Sequence, residues 1–331
     1  MNSIIDEQAD LIRNYVLDFG FTGSVLAAID DKVILHEGFG WIDRLGTNPV
    51  LPDTPFWVAS ITKQFTAAAV LKLAEEGKLS VEDPIDKHFE NIPEDKRGIT
   101  IHRLLTHTAG LRQNYAADGI IDRGEAARLI LEKPLKAAPG QGFGYSNDAY
   151  NLLAILIEIV SGETYEAYLR RSLFEPAGFL HTGFWEHPGH ESVAEIHGEV
   201  APEVRQANWG FRGAVGIYST TGDLYRWNQV LQGNSVLTRE SCRKLVAAHI
   251  SLGETERHGY GWFLTRTPRG STAVWTRGTE GFGHNAILMT FPEEKVVLAA
   301  VSNAGDRDGL AISRRLVEGL VEFIFSAPGE L

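Results

Sequence analysis

A strand hairpin near the amino terminus and four strand-like runs near the carboxyl terminus are separated by a long, mostly helical middle, and this layout restricts the fold more than any other feature. The runs Ser24–Ile29 and Lys32–Glu37 flank Asp30-Asp31 and read as a hairpin. The late runs fall at 259–265, 271–278, 284–291 and 294–302, with Pro292-Glu293 as a tight turn between the last two. A lone hairpin is marginal in water, so the two sets are expected to pair in one antiparallel sheet. Helical patterns at 4–18 and about 309–325 begin and end the chain and supply cover for that sheet. The middle carries helices at 60–76, about 124–132 and 148–161, the first and last stopped by Gly77 and Gly162. Helices near 221–232 and 238–248 precede the late strands. The expected fold class is α+β. Residues 1–59 and 211–331 form the sheet domain, 60–210 form an inserted helical lobe, and an active site lies between them.

Composition narrows the function classes. At 331 residues and 44% hydrophobic content the chain buries a sizeable core. A net charge of −12 with no Lys/Arg run excludes nucleic acid and anionic membranes as expected partners. Cys242 is the single cysteine, which rules out an internal disulfide and a cysteine-based metal site. The start Met1-Asn2-Ser3-Ile4-Ile5 lacks the basic and apolar regions of a signal peptide, and no stretch approaches a membrane span, so the expected location is the cytoplasm.

Ser60 and Lys63 carry the first chemical signal. Positions i and i+3 of a helix share a face, so the hydroxyl and the amine stand side by side. Apolar neighbours (Phe56, Trp57, Val58, Ile61, Phe65) desolvate the lysine and favour its neutral form, which is the form that takes a proton from serine. An N-cap serine beside a solvated lysine is the bland alternative. Ser241 and Lys244 repeat the spacing, but Leu245, Val246 and Ile250 mark that stretch as amphipathic, with the pair on its solvated side. Tyr145-Ser146-Asn147 follows the turn Pro139-Gly140. If extended, it points Tyr145 and Asn147 the same way. A phenol near an ammonium relays protons, and an amide orients the amine and binds a carbonyl.

Ser60-Ile61-Thr62-Lys63 and Tyr145-Ser146-Asn147 resemble the first two motifs of the serine β-lactamase-related family, in its class C-like branch. That branch includes family VIII carboxylesterases, D-stereospecific aminopeptidases and amidases, and penicillin-binding-protein-like hydrolases. Ile99–Leu111 (with Leu105-Thr106-His107-Thr108-Ala109-Gly110), Gly216–Thr220 and Gly259-Tyr260-Gly261-Trp262 fit it as well, and the likeness runs from about residue 20 to 325. It implies an antiparallel sheet flanked by the terminal helices, plus the inserted lobe. It also implies catalysis by Ser60, Lys63 and Tyr145, orientation of substrate by Asn147, and an oxyanion hole shared by the Ser60 and Gly278 N–H groups.

The third motif departs from the pattern. Relatives carry Lys-Thr-Gly or His-x-Gly, whereas this chain reads Trp275-Thr276-Arg277-Gly278. Trp275 and Arg277 are therefore candidate substrate-orienting residues, with Arg277 either replacing the missing cation, blocking the cleft or pairing with Glu280. The expected activity is acyl-enzyme hydrolysis of a small-molecule carboxylic ester, with no metal and no organic cofactor. The alternatives are a D-amino-acid peptidase or amidase, a weak β-lactamase, and a catalytically silent binding protein of the same fold.

Other features carry less. His187, His190, Glu191 and His197 lack the helical His-Glu-x-x-His spacing of a metal site. His107 and His284 are expected to serve structure. Trp57, Trp209, Phe211, Trp262 and Phe282, together with Trp275, are candidates for an apolar acyl pocket, though each alone reads as core.

Overall fold

The structure, a computed structural model, describes residues 2–112, 115–184, 194, 208–233, 235–279, 283–307 and 310–326. Helix α1 (Asn2–Phe19) leads into the hairpin β1 (Gly23–Ile29) and β2 (Lys32–Phe39). Its turn residues Asp30 and Asp31 have φ of 50° and 61°, the left-handed pair that matches strand twist in a two-residue hairpin. After β3 (Phe56–Trp57), a tight turn over Ala59–Ile61 opens α2 (Thr62–Glu75).

The middle continues through α3 (Ile101–Leu105), α4 (Arg123–Glu132), α5 (Asn147–Ser161), α6 (Tyr165–Leu169) and α7 (Glu175–Ala177). Then come β4 (Gly183–Phe184), α8 (Arg212–Val215), β5 (Ile217–Ser219), α9 (Thr221–Gly233) and α10 (Arg239–Leu245). The late strands are β6 (Ile250–Ser251), β7 (Glu256–His258), β8 (Phe263–Arg266), β9 (Thr272–Thr279), β10 (Asn285–Phe291) and β11 (Val296–Ser302). A small pair, β12 (Asp306–Arg307) and β13 (Leu310–Ala311), precedes α11 (Ile312–Ser326).

Eight strands make one antiparallel sheet in the order β2-β1-β11-β10-β9-β8-β7-β6. The amino-terminal hairpin joins the late strands through β1 and β11, with Ser24 opposite Val301 and Ile29 opposite Val296. Alternation along these strands divides the core. Leu26, Val274, Leu288 and Ala299 face the helical middle, whereas Val25, Ile287, Leu298 and Ala300 meet Ile12 and Val16 of α1 and Leu316 and Leu320 of α11. Both faces are covered by helices, the α+β arrangement expected. No described helix is long and apolar enough to cross a membrane.

Helix α5 is the axis of the middle. Asn147 through Glu158 are all buried, as a helix apolar around its circumference requires. Each buried Leu or Ile in it contributes roughly 1.5–3 kcal/mol of apolar transfer. Ser146 caps its start by accepting the Ala149 N–H at 3.1 Å, and Gly162 ends it at φ 76°.

One expected strand is interrupted. The run 259–265 becomes a connection over Gly259–Trp262 followed by β8, because Gly261 turns at φ 78° against the first turn of α2. A Cβ there would stand 2.9 Å from the Gln64 nitrogen and 3.0 Å from the Lys63 carbonyl carbon.

Candidate active site

Ser60 sits in the tight turn that opens α2, between the sheet and the helical middle. The preceding Ala59 is buried and holds φ of 46°, a left-handed value that costs a non-glycine residue about 1–2 kcal/mol. The turn is fixed from both sides. The Val58 N–H donates to Ile217 O, the Ile61 N–H donates to Val58 O, and the Ile217 N–H donates to Thr62 Oγ1, each at 3.1 Å.

Lys63 is 2% exposed and uses all three of its hydrogen-bonding directions. Nζ lies 3.0 Å from Ser60 Oγ, 2.8 Å from Asn147 Oδ1 and 2.9 Å from the Ala214 carbonyl. The last two oxygens are acceptors in any protonation state, so they claim two N–H bonds. The third direction points at Ser60. An ammonium donates along it, whereas a neutral amine presents its lone pair to the Ser60 hydroxyl. That arrangement suits a general base.

Tyr145 is held by the turn after α3. Gly144 N–H donates to His107 O at 2.8 Å and Ser146 N–H donates to His107 Nδ1 at 3.1 Å, so the residues on either side of Tyr145 are pinned to one histidine. The Tyr145 ring stacks on the His107 ring with centroids 4.4 Å apart, and its centroid lies 4.8 Å from Lys63 Nζ. Burial, His258 and Lys63 together hold the His107 imidazole far below its ordinary pKa, and its Nδ1 accepts, so the neutral ring carries its proton on Nε2. His258, 5.2 Å from His107 between centroids, is lowered to about 3 by burial, His249 and Lys63. The support beneath Tyr145 is therefore uncharged. Tyr150, its ring centroid 5.7 Å from Lys63 Nζ, is poorly placed to exchange a proton: it is fully buried, donates to Leu105 O, and burial drives its phenol far above the usual value.

The structure thus gathers Ser60, Lys63, Tyr145 and Asn147 around one amine. Gly278 joins them from β9, where a Cβ would stand 2.0 Å from Val58 O, 2.9 Å from Ala59 Cβ and 2.9 Å from Ser60 N. Only glycine fits that approach. β8 pairs with β9 from Thr272 to Trp275, so, among the described residues, 276–279 keep one edge free of strand partners beside Ser60.

Trp275 and Arg277 are not brought to the cleft. Gly278 faces Val58–Ser60, and alternation puts 275 and 277 on the opposite face. Trp275 packs in the cluster under α1 and α11, stacks on Phe263 at 4.7 Å and donates its indole N–H to Thr265 Oγ1. Arg277 is exposed, with its guanidinium 5.7 Å from the Trp275 ring. The buried Thr276 shares the face of Gly278 instead.

Trp57, Trp209 and Trp262 are core residues at 1–2% exposure, and the buried Phe211 stacks on Tyr115. Phe282, Glu280, His187, His190, Glu191 and His197 lie outside the described residues. His284 accepts the Trp57 N–H on Nδ1, a structural role. In the second Ser-x-x-Lys pair Lys244 is solvated and pairs with Glu240, but Ser241, expected in solvent, is buried beside Thr238 and Glu75. The residue missed from the sequence is His258. Its place just before Gly259-Tyr260-Gly261-Trp262 was the available signal.

An antiparallel sheet covered on both faces, with a Ser-x-x-Lys turn meeting a Tyr-x-Asn segment at its edge, is the arrangement of serine β-lactamase/transpeptidase-like proteins. The Beta-lactamase family profile matches residues 10–321, and the chain belongs to that family, whose members are serine hydrolases. Penicillin-binding protein 4* of Bacillus subtilis (strain 168) is 29% identical over 311 residues, covering 86% of this chain and 68% of that protein. Against further relatives the chain spans 62–64% of their length. D-amino acid amidase from Ochrobactrum anthropi SV3 superposes with a TM-score of 0.79 at 22% identity, over 98% of this chain and 99% of that one. EstCE1, described as a hydrolase with promiscuous acyltransferase activity, gives 0.75 at 19% identity over 95% and 98%. At these identities the two structures share the fold.

Proposed function

We propose that this chain hydrolyses carboxylic esters through an acyl-enzyme on Ser60. The observation that carries the proposal is the 3.0 Å contact between Lys63 Nζ and Ser60 Oγ, with the other two bonds of the amine taken by Asn147 and Ala214. Ser60 Oγ attacks the ester carbonyl carbon while Lys63 takes its proton. The oxyanion meets the N–H groups of Ser60 and Gly278, a pair of donors at the point where charge develops. Collapse expels the alkoxide, which receives a proton by way of Tyr145. Water then adds to the acyl carbonyl, its proton passes through Tyr145 to Lys63, and Lys63 returns that proton to Ser60 Oγ as the acid leaves.

Two arguments favour esters. An alkoxide leaves more readily than an amine anion, and β9 turns Arg277 away from the cleft, so that cation does not receive a substrate carboxylate there. One observation favours amides as a second reading: the open edge at 276–279 suits an extended peptide-like substrate. A fluorophosphonate probe is expected to label the wild type and to spare Ser60→Ala; equal labelling of both would remove the proposal. Rates on p-nitrophenyl esters, a chromogenic cephalosporin and a D-alanyl anilide then rank the substrates, and faster turnover of amide or lactam than of every ester rejects the ester preference.

A further inference from the structure

A cavity of about 410 Å³ lies away from Ser60, between α9, α10 and the middle of the sheet. Its floor is one lateral row of cross-strand neighbours: Val274 faces Thr290, Thr290 faces Val297, and Val297 faces Ala28. Thr290 interrupts an otherwise apolar row, and its buried hydroxyl has no hydrogen-bond partner among the described residues. The indole N–H of Trp262, which also borders the cavity, is likewise buried and unpartnered. Both atoms are sealed from the cavity, so the floor offers a ligand an apolar surface.

The rim gives the sign of its charge. Arg239, Arg243 and Lys295 border the cavity against one carboxylate, Asp31, and among the described residues none of the three cations forms an ion pair. This reverses the balance of a chain whose net charge is −12. We infer that the cavity is a second binding site, for a medium-chain amphipathic carboxylate. A carboxylate offers only acceptors, which suits the donor-only guanidinium and ammonium groups of Arg239, Arg243 and Lys295, and those cations favour its ionised form. Val274, Val297, Leu231 and Val246 cover its hydrocarbon. The volume falls within the range of small-molecule sites.

The test is calorimetric titration of the Ser60→Ala protein with octanoate and with 1-octanol, repeated in Arg239→Glu/Arg243→Glu. The two arginines are exposed, so the variant retains the fold. Saturable one-site binding of octanoate is expected, weakened about tenfold or more by the double charge reversal, with octanol bound at least about tenfold less tightly. No saturable binding below about 1 mM, equal affinity for octanol, or unchanged affinity in the double charge reversal overturns the assignment.

Discussion

Replacing Gly278 with alanine tests the catalytic geometry at its tightest point. The new Cβ would begin 2.0 Å from Val58 O and 2.9 Å from both Ala59 Cβ and Ser60 N. All three neighbours belong to a turn that β5 and α2 hold in place, so no flexible side chain can yield. Ordinary contact needs about 3.4 Å or more, and β9 must therefore part from the turn by about 1 Å. Oxyanion donors act over about 2.7–3.1 Å, and a misplacement of 1 Å is worth about a hundredfold in rate. The expected result is a fall in kcat of about 10²–10³ on p-nitrophenyl acetate, equivalent to about 2.7–4 kcal/mol of transition-state stabilisation, with a much smaller change in KM. Thermal denaturation followed by circular dichroism should still show a cooperative fold. Arg277→Ala is the internal control: its side chain is exposed on the opposite face and should leave kcat within about twofold of wild type. A Gly278→Ala enzyme within about threefold of wild type refutes the reasoning, because the strand would then not be what sets the nucleophile's surroundings.

Lys63→Met keeps the bulk of the buried side chain but leaves Asn147 Oδ1 and Ala214 O without their donor; kcat for acylation should fall by about 10²–10⁴ and stability by about 1–3 kcal/mol, read by burst kinetics and urea titration. Tyr145→Phe preserves the stack on His107 and removes only the phenol, so activity should drop by about 10²–10⁴ while Tm barely moves; equal activity would exclude the relay. Asp148, buried beside Asn147 and accepting the Ala116 N–H, has its carboxyl raised to about 7 by loss of hydration. The folded state then holds a proton that the unfolded chain releases near its usual value of 3.8, so stability falls as pH rises from about 4 to about 7 and levels off above. Asp148→Asn should remove that decline and be more stable than wild type at pH 8 by about 2–4 kcal/mol; parallel pH profiles in chemical denaturation would contradict it.

Much of this was legible before the structure. The hairpin, the buried α5 and the long return of the chain to its first strands follow from local periodicity and turn chemistry. Ser60, Lys63, Tyr145 and Asn147 came from chemistry at fixed spacings, strengthened by family resemblance. Trp275 and Arg277 were misplaced for a specific reason: anchoring on the glycines named the residues of β9 but not which face they share with Gly278. That face is set by contact with a turn more than two hundred positions away. Gly259–Trp262 read as a strand because its side chains suit one, and nothing local announces that α2 presses on Gly261. His258 stands just before Gly259-Tyr260-Gly261-Trp262, a position that marks it in the sequence, but its neutral, buried state follows only from the groups packed around it.

The left-handed Ala59 has a consequence for how such a protein can diversify. Hydrogen bonds of the main chain to β5 and Thr62 outweigh the strain at Ala59 and keep the Ser60 hydroxyl in position. The cleft walls are then free to be rebuilt for other acyl or leaving groups while the hydroxyl stays where it is. New specificities would arise on an unmoved anvil.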